Sequence, residues 1–159
     1  TDEGSSDILI EDNVVYRCED GGFHQHYGEA NIVRNNIFAL GRNAQIRRTR
    51  EENHLSFTFE HNLIYWKDGK LLDGKWDDNH YRFDYNLYDA VGGGELTFSK
   101  WSFEEWQKRG QDIHSLIANP LFVDPEHGNF SLERGSPALK IGFKPIDLSE
   151  VGPRGKPNQ

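Results

Sequence analysis

The chain has 159 residues, which fits one domain, and its formal net charge is -8. Aromatic residues make up 13% of the sequence, more than a disordered chain carries, so the composition indicates a folded but polar protein. The negative charge argues against a nucleic-acid partner, and Glu51 and Glu52 offset the one basic run, at 46–50. No apolar run has the length of a membrane-spanning helix, so we expect no membrane partner. The single cysteine, Cys18, excludes an intrachain disulfide.

An asparagine-centred repeat runs through the first hundred residues. Four segments, ILIEDNVVY, NIVRNNIFA, FTFEHNLIY and YRFDYNLYD, align on Asn13, Asn36, Asn62 and Asn86, which are 23, 26 and 24 residues apart. Apolar and polar residues alternate on both sides of each asparagine, which is the period of a β-strand. Repeats of this length with several short strands predict a parallel β-solenoid. The asparagines would then stack at one bend and bond one another through their side-chain amides.

A second pair of positions follows each asparagine at a constant distance. The residues ten positions later are all apolar: Phe23, Ile46, Leu72 and Leu96. The residues eleven positions later are His24, Arg47, Asp73 and Thr97. Equal offsets stack about 4.8 Å apart in a parallel solenoid, and strand alternation turns the second set outward. We therefore predict an outward polar column on one sheet.

Two histidines and two carboxylates are expected beside this column. His26 lies two residues beyond His24 and should face outward with it. Extrapolation by one coil places Asp2 and Glu3 near the height of Gln25 and His26, with a shift of one residue left open. Carboxylates and imidazoles can act as general acids or bases, so these four side chains, Asp2, Glu3, His24 and His26, are the candidate catalytic residues.

Arginine and aromatic residues nearby are the candidate substrate-binding groups. Arginine can hold the carboxylate of a uronic acid through two hydrogen bonds, and aromatic rings can stack on sugar faces. The set is Arg47, Arg48, Tyr27, Asp73, Trp66 and Trp76. Arg48 falls on the inward parity of its strand, so we expect a bend there or a position at a coil corner. No cofactor is required; calcium is an option, and the spacing of the two histidines is weak support for a metal site.

With these repeats, the chain resembles right-handed parallel β-helix proteins of the pectate-lyase-like type. Residues 112–142, DIHSLIANPLFVDPEHGNFSLERGSPALKIG, resemble the segment that closes many secreted carbohydrate-active β-helices, with Asn119 and Asn129 replacing two usual aspartates. The resemblance implies an all-β, right-handed parallel β-helix (solenoid) of about four coils with a short C-terminal helix and an irregular capping tail. Residues 1–100 would form the coils, and 101–159 the capping helix and closing segment of the same domain.

The two ends of the predicted solenoid differ. Residues 102–110, SFEEWQKRG, predict a short helix with Ser102 as its cap, Glu105 completing a capping box and Gly110 ending it. The N-terminal side has no comparable cap. Because an uncapped coil exposes strand edges, we expect further coils before residue 1, or another chain, to cover it.

The resemblance also implies a function. It indicates the C-terminal part of a glycoside hydrolase acting on a plant- or algal-type polysaccharide or oligosaccharide, in a secreted or periplasmic location. Asp2 or Glu3 would supply a carboxylate, and His24 and His26 would position the substrate or carry a proton. The alternatives are a polysaccharide lyase or uronate epimerase, and a non-catalytic glycan-binding or structural solenoid, because one fold hosts many activities.

Overall fold

The computed structural model describes residues 1–91, 96–149 and 151–152, which form a parallel β-solenoid of about four turns. The strands are two to five residues long. They are, in chain order, β1 (Ser5–Ser6), β2 (Leu9–Glu11), β3 (Val14–Tyr16), β4 (Phe23–Gln25), β5 (Gly28–Glu29), β6 (Asn31–Arg34), β7 (Ile37–Ala39), β8 (Ala44–Arg48), β9 (Phe57–Glu60), β10 (Leu63–Trp66), β11 (Lys70–Gly74), β12 (Tyr81–Asp84), β13 (Leu87–Ala90), β14 (Leu116–Ile117), β15 (Phe122–Asp124) and β16 (Asn129–Leu132). The helices are α1 (Phe103–Lys108) and the 3-10 turns Pro125–His127 and Pro137–Ile141.

Successive turns add strands to three parallel sheets. Sheet A contains β2, β6, β9 and β12; sheet B contains β3, β7, β10, β13 and β14; sheet C contains β4, β8 and β11. The strands pair in the register of the repeat, so that Val33 lies beside Phe59 and Phe59 beside Phe83. The predicted all-β solenoid and its inward apolar columns are therefore confirmed.

Stacked aromatic rings fill much of the interior. The Phe59 ring lies between those of Phe38 and Phe83, with centroid distances of 5.6 and 4.9 Å, and all three side chains are buried. Phe59 and Phe83 occupy equivalent positions on neighbouring strands of sheet A, so their rings stack at about the strand spacing, and Phe38 adds a ring from sheet B. Leu96 packs partly buried against this core, whereas Thr97 lies outside the strands of sheet C.

The four asparagines form the predicted ladder at the bend between sheets A and B. Asn13 Nδ2 donates to Asn36 Oδ1 at 2.9 Å, Asn36 Nδ2 to Asn62 Oδ1 at 3.0 Å, and Asn62 Nδ2 to Asn86 Oδ1 at 3.3 Å. Each accepting oxygen also takes the backbone N–H of the preceding asparagine. The ladder thereby satisfies buried groups of the bend that would otherwise have no partner.

The residue before each asparagine turns the corner with a left-handed backbone. Asp12, Asn35, His61 and Tyr85 have φ angles of 58°, 52°, 55° and 54°. The Tyr85 ring stacks on His61 on one side and on His114 on the other, at 5.1 and 4.7 Å between centroids. Asparagine and aspartate tolerate this conformation better than histidine or tyrosine, so ring stacking offsets part of the strain at the last two corners.

A buried carboxylate, which the sequence analysis did not single out, ends the ladder. Asp112 Oδ1 accepts from Asn86 Nδ2 and from the Ser115 hydroxyl, and Oδ2 accepts from the Tyr88 hydroxyl and Trp106 Nε1. Its side chain has no solvent exposure, and burial raises the pKa of Asp112 to about 6. The group is therefore ionised at neutral pH, in the form that accepts all four hydrogen bonds.

The C-terminal cap forms as predicted. Ser102 caps α1 with the capping box to Glu105, and Trp106 is buried with its ring stacked on Tyr81 at 5.4 Å between centroids. The antiparallel pair β15–β16 follows, and its Phe122 packs against Tyr65 of sheet B. The end of the predicted closing segment, residues 153–159, lies outside the described residues.

Replacing Asn62 with leucine should lower the free energy of unfolding by about 1–3 kcal/mol, because the backbone N–H of Asn36 and the carbonyl of Val33 lose their partners. Denaturant unfolding measures this change. Asn53→Leu, at an exposed loop position, is the matched control and should unfold close to the unchanged protein. Equal stability of the two variants would contradict a structural role for the ladder.

The folded-state pKa of Asp112 predicts an unusual dependence of stability on pH. Because that pKa is raised from 3.8 to about 6, the folded state binds the proton more tightly, and the stability contributed by this group rises as pH falls through 6 and is lost as pH rises. The free-energy difference between the unchanged protein and Asp112→Asn should thus grow between pH 7 and pH 5. Should the variant not fold, the carboxyl ¹³C titration of Asp112 gives the midpoint directly; a midpoint below 4 would contradict the prediction.

Candidate functional site: the polar column of sheet C

Sheet C carries the predicted outward column. Its strands pair so that His24 lies beside Arg47 and Arg47 beside Asp73, on three successive turns. The residues one position earlier, beginning with Phe23, are buried in the core. Strand alternation thus places these three polar side chains on the outer face, as the sequence predicted, and we call them the sheet C column.

The N-terminal residues extend this surface with a register one residue away from the extrapolated one. The backbone amine of Thr1 donates to the His24 carbonyl at 2.7 Å, and the His26 N–H donates to the Thr1 carbonyl at 3.1 Å. Thr1 therefore lies opposite Gln25, and Asp2 reaches the level of His26. Asp2 Oδ1 is 3.3 Å from His26 Nδ1, whereas Glu3 lies in the exposed turn that follows.

The two imidazoles are held side by side. The rings of His24 and His26 are nearly parallel, with 6.5 Å between centroids, and His24 Nε2 lies 3.1 Å from the Thr49 hydroxyl. Burial, and then the positive charge of Arg47, lowers the pKa of His24. His24 is consequently a neutral imidazole at neutral pH, with a lone pair able to accept a proton.

Arg47 is held loosely by two carboxylates. Its Nη1 lies 3.8 Å from Asp20 Oδ2 and its Nε lies 3.6 Å from Asp73 Oδ2, with about a third of the arginine side chain exposed. Partly exposed ion pairs of this length contribute little stability, so another anion can compete for the guanidinium. Asp20 lies in a loop outside the repeat, where no periodic signal identified it.

Arg48 does not reach this surface. Its side chain is fully buried and forms two hydrogen bonds with Asp78, at 2.7 and 3.0 Å, and a third with the Lys75 carbonyl. The guanidinium also lies 5.3 Å from the centroid of the Tyr81 ring. The alternation of side chains along the strand had indicated that Arg48 points inward, and it does. Arg48 is therefore part of a buried ion pair with Asp78 and not, as predicted, a substrate-binding residue on the surface.

The three predicted aromatic contacts separate into two groups. Trp66 and Trp76 are 5% and 1% exposed and pack in the core, so stacking of a sugar on either ring is not compatible with this structure. Tyr27 lies beside the column, with the His26 ring at its edge and the Arg50 guanidinium 4.5 Å from its centroid. Arg50 is thus a neighbour of the site that the sequence analysis did not select.

The sequence-based option of a metal ion can be compared with the grouping of possible ligands in the described residues. Within the part of the chain that the structure describes, no three His, Cys, Asp or Glu side chains are grouped to hold an ion. The sequence-based option of calcium therefore stays a prediction.

Comparisons with known proteins do not add a relative. No protein family, curated protein or solved structure matches the chain at a significant level. Over the described ranges, none of the helices is both long and apolar enough to cross a bilayer. The structure therefore establishes a parallel β-solenoid, and the likeness to pectate-lyase-like proteins rests on the sequence motifs.

The position of Arg47 predicts the titration of His24. The midpoint of His24 should lie below the ordinary value of 6.5, and Arg47→Met should raise it, because the neighbouring positive charge that disfavours protonation is removed. NMR titration of the imidazole Cε1–H signal measures both. Arg82→Met, at an exposed position of sheet A, is the control and should leave the midpoint unchanged. An Arg47→Met midpoint equal to or below that of the unchanged protein would refute the electrostatic coupling.

Proposed function

We propose that this chain is part of a carbohydrate-active protein that binds a polysaccharide or oligosaccharide over sheet C. The observation that carries the proposal is the pairing of a neutral imidazole, His24, with a displaceable guanidinium, Arg47, on adjacent strands. The mixed Asp, His and Arg surface and the resemblance of the closing segment support a sugar ligand. A secreted or periplasmic location belongs to the same proposal.

The geometry favours chemistry at a uronic acid. Arg47 would hold the sugar carboxylate, which withdraws charge from the adjacent carbon and lowers the pKa of its proton. His24 would take that proton; in a lyase, the electron pair then forms a C=C bond as the neighbouring C–O bond breaks and the oxygen leaves with the chain. Return of a proton to the opposite face gives epimerisation instead. The Thr49 hydroxyl, 3.1 Å from His24 Nε2, orients the imidazole for this step.

Glycoside hydrolysis is the second candidate, favoured by the sequence resemblance. A hydrolase of the usual kind needs two carboxyl groups about 5–10 Å apart. Asp2 lies one turn before β4, and Asp73 lies on β11, two turns after β4. The two residues are therefore three strand spacings apart, or about 14 Å. Asp2 and Asp73 are too distant to act as a pair. Hydrolysis would instead have to use Asp20 and Asp73, whose carboxylates lie 3.8 and 3.6 Å from the Arg47 guanidinium.

Incubation with a panel of uronate-containing and neutral polysaccharides tests the proposal. We expect unsaturated products, detected by ultraviolet absorbance, or exchange of the uronate proton with deuterated solvent, detected by NMR. His24→Ala should reduce the rate by about 10²–10⁴-fold, as for loss of a general base. Arg47→Met should chiefly weaken binding of uronates. His127→Ala and Arg82→Met replace exposed residues of the same type elsewhere and serve as controls.

The products distinguish the alternatives. New reducing ends without unsaturation would overturn the lyase assignment in favour of hydrolysis. Binding that depends on Arg47 without any product would leave a non-catalytic glycan-binding role. No binding to any member of the panel would overturn the carbohydrate proposal itself.

A further inference from the structure

A second polar site lies at the corner between sheets A and B. A half-open cavity of about 270 Å³ lies between the outer ends of the first three turns and the strap formed by residues 142–144. Its lining includes Glu11, Arg34, Glu60, His61 and Lys144. None of these residues belongs to the sheet C column, so the cavity is distinct from the surface to which the proposed function is assigned.

Hydrogen bonds fix the strap against the corner. The Lys144 N–H donates to Asn35 Oδ1 at 2.7 Å, and Asn35 Nδ2 donates to the Lys144 carbonyl at 3.0 Å. His61 Nδ1 lies 2.5 Å from the Ile141 carbonyl oxygen. Because a carbonyl only accepts, His61 Nδ1–H is the donor in this hydrogen bond. The cavity is therefore preformed, which lowers the entropic cost of binding.

Charges of opposite sign alternate along the cavity. Glu11, Arg34 and Glu60 occupy adjacent positions on three strands of sheet A. Arg34 Nε donates to Glu11 Oε2 at 2.8 Å. Among the described residues, the Glu60 carboxylate and the Lys144 ammonium take part in no side-chain hydrogen bond or ion pair with one another or with a third group. Glu60 and Lys144 are both lining residues of the cavity, so an acceptor and a donor without side-chain partners in the described part of the chain lie close to the same space.

We propose that this corner cavity binds a single sugar ring through its hydroxyl groups. A hydroxyl donates and accepts at once, so adjacent hydroxyls can bridge the Glu60 carboxylate and the Lys144 ammonium. The volume is below that of sites for drug-sized ligands and suits one ring. The choice of a sugar rests on the proposed function, while the geometry of the cavity is independent of it. A zwitterionic amino acid is the main rival ligand, since it too presents both charges.

NMR titration of the whole chain tests this site. Glucose, galactose, xylose and glucuronate are added separately, with glycine and glutamate as the rival class, and the amide signals of His61, Gly142 and Lys144 are followed. We expect a saturable shift with at least one sugar. Glu60→Gln and Lys144→Met should each weaken binding about tenfold, the effect of losing a hydrogen bond to a charged group.

Matched controls lie close by. Lys140→Met and Glu133→Gln replace exposed residues outside the cavity and should leave the affinity unchanged. His24→Ala should also leave it unchanged, and a chain that fails to process any polysaccharide can still show corner binding, so the two proposals fail separately. Absence of any sugar-induced shift, stronger shifts with amino acids, or equal affinity in the Glu60 and Lys144 variants would overturn this proposal.

Discussion

The side-chain hydrogen bond from one asparagine amide to the next fixes the register of the whole solenoid. Each bond joins equivalent positions on adjacent turns, so it holds the strands of sheets A and B at matching positions. A slip of one residue would exchange every inward and outward side chain. The neighbourhood of His24 and Arg47, eleven residues beyond their asparagines, depends on that register, because a constant offset becomes a constant position only when the turns are aligned.

Periodic features of the structure could be predicted from the sequence, and interactions formed by single loops could not. The ladder, the buried Phe23 and the capped helix at Ser102 follow from spacing and from rules that act over a few residues. The role of Arg48 could be predicted only in part. Strand alternation indicated that its side chain points inward, but its partner Asp78 lies in a non-repeating loop of the next turn. Trp76 is buried for a similar reason, since it follows the end of β11 where the alternation no longer applies.

The two proposed sites use the same geometry in different ways. On sheet C, His24 and Arg47 lie one strand spacing apart on adjacent turns. The face is open, so a long ligand can lie across the turns. At the corner, the strap bound to Asn35 borders a small, half-open cavity beside Glu60 and its neighbours. The strand spacing sets which side chains meet in both cases, and the covering segment decides whether a chain or a single ring fits.

The Asp112 carboxylate accepts the last side-chain hydrogen bond of the ladder, from Asn86. Every asparagine both donates and accepts, so the pattern can in principle continue for any number of turns. A carboxylate only accepts. Asp112 accepts four hydrogen bonds, among them one from Asn86 of the ladder and one from Trp106 of the capping helix, and its carboxylate donates none to a further turn. Ser115 shares this role, because its hydroxyl takes the backbone N–H of Asn86 while Asp112 takes the side-chain amide. The last asparagine therefore has both of its donors satisfied without a fifth asparagine, and the repeat can end inside the fold rather than at an open edge.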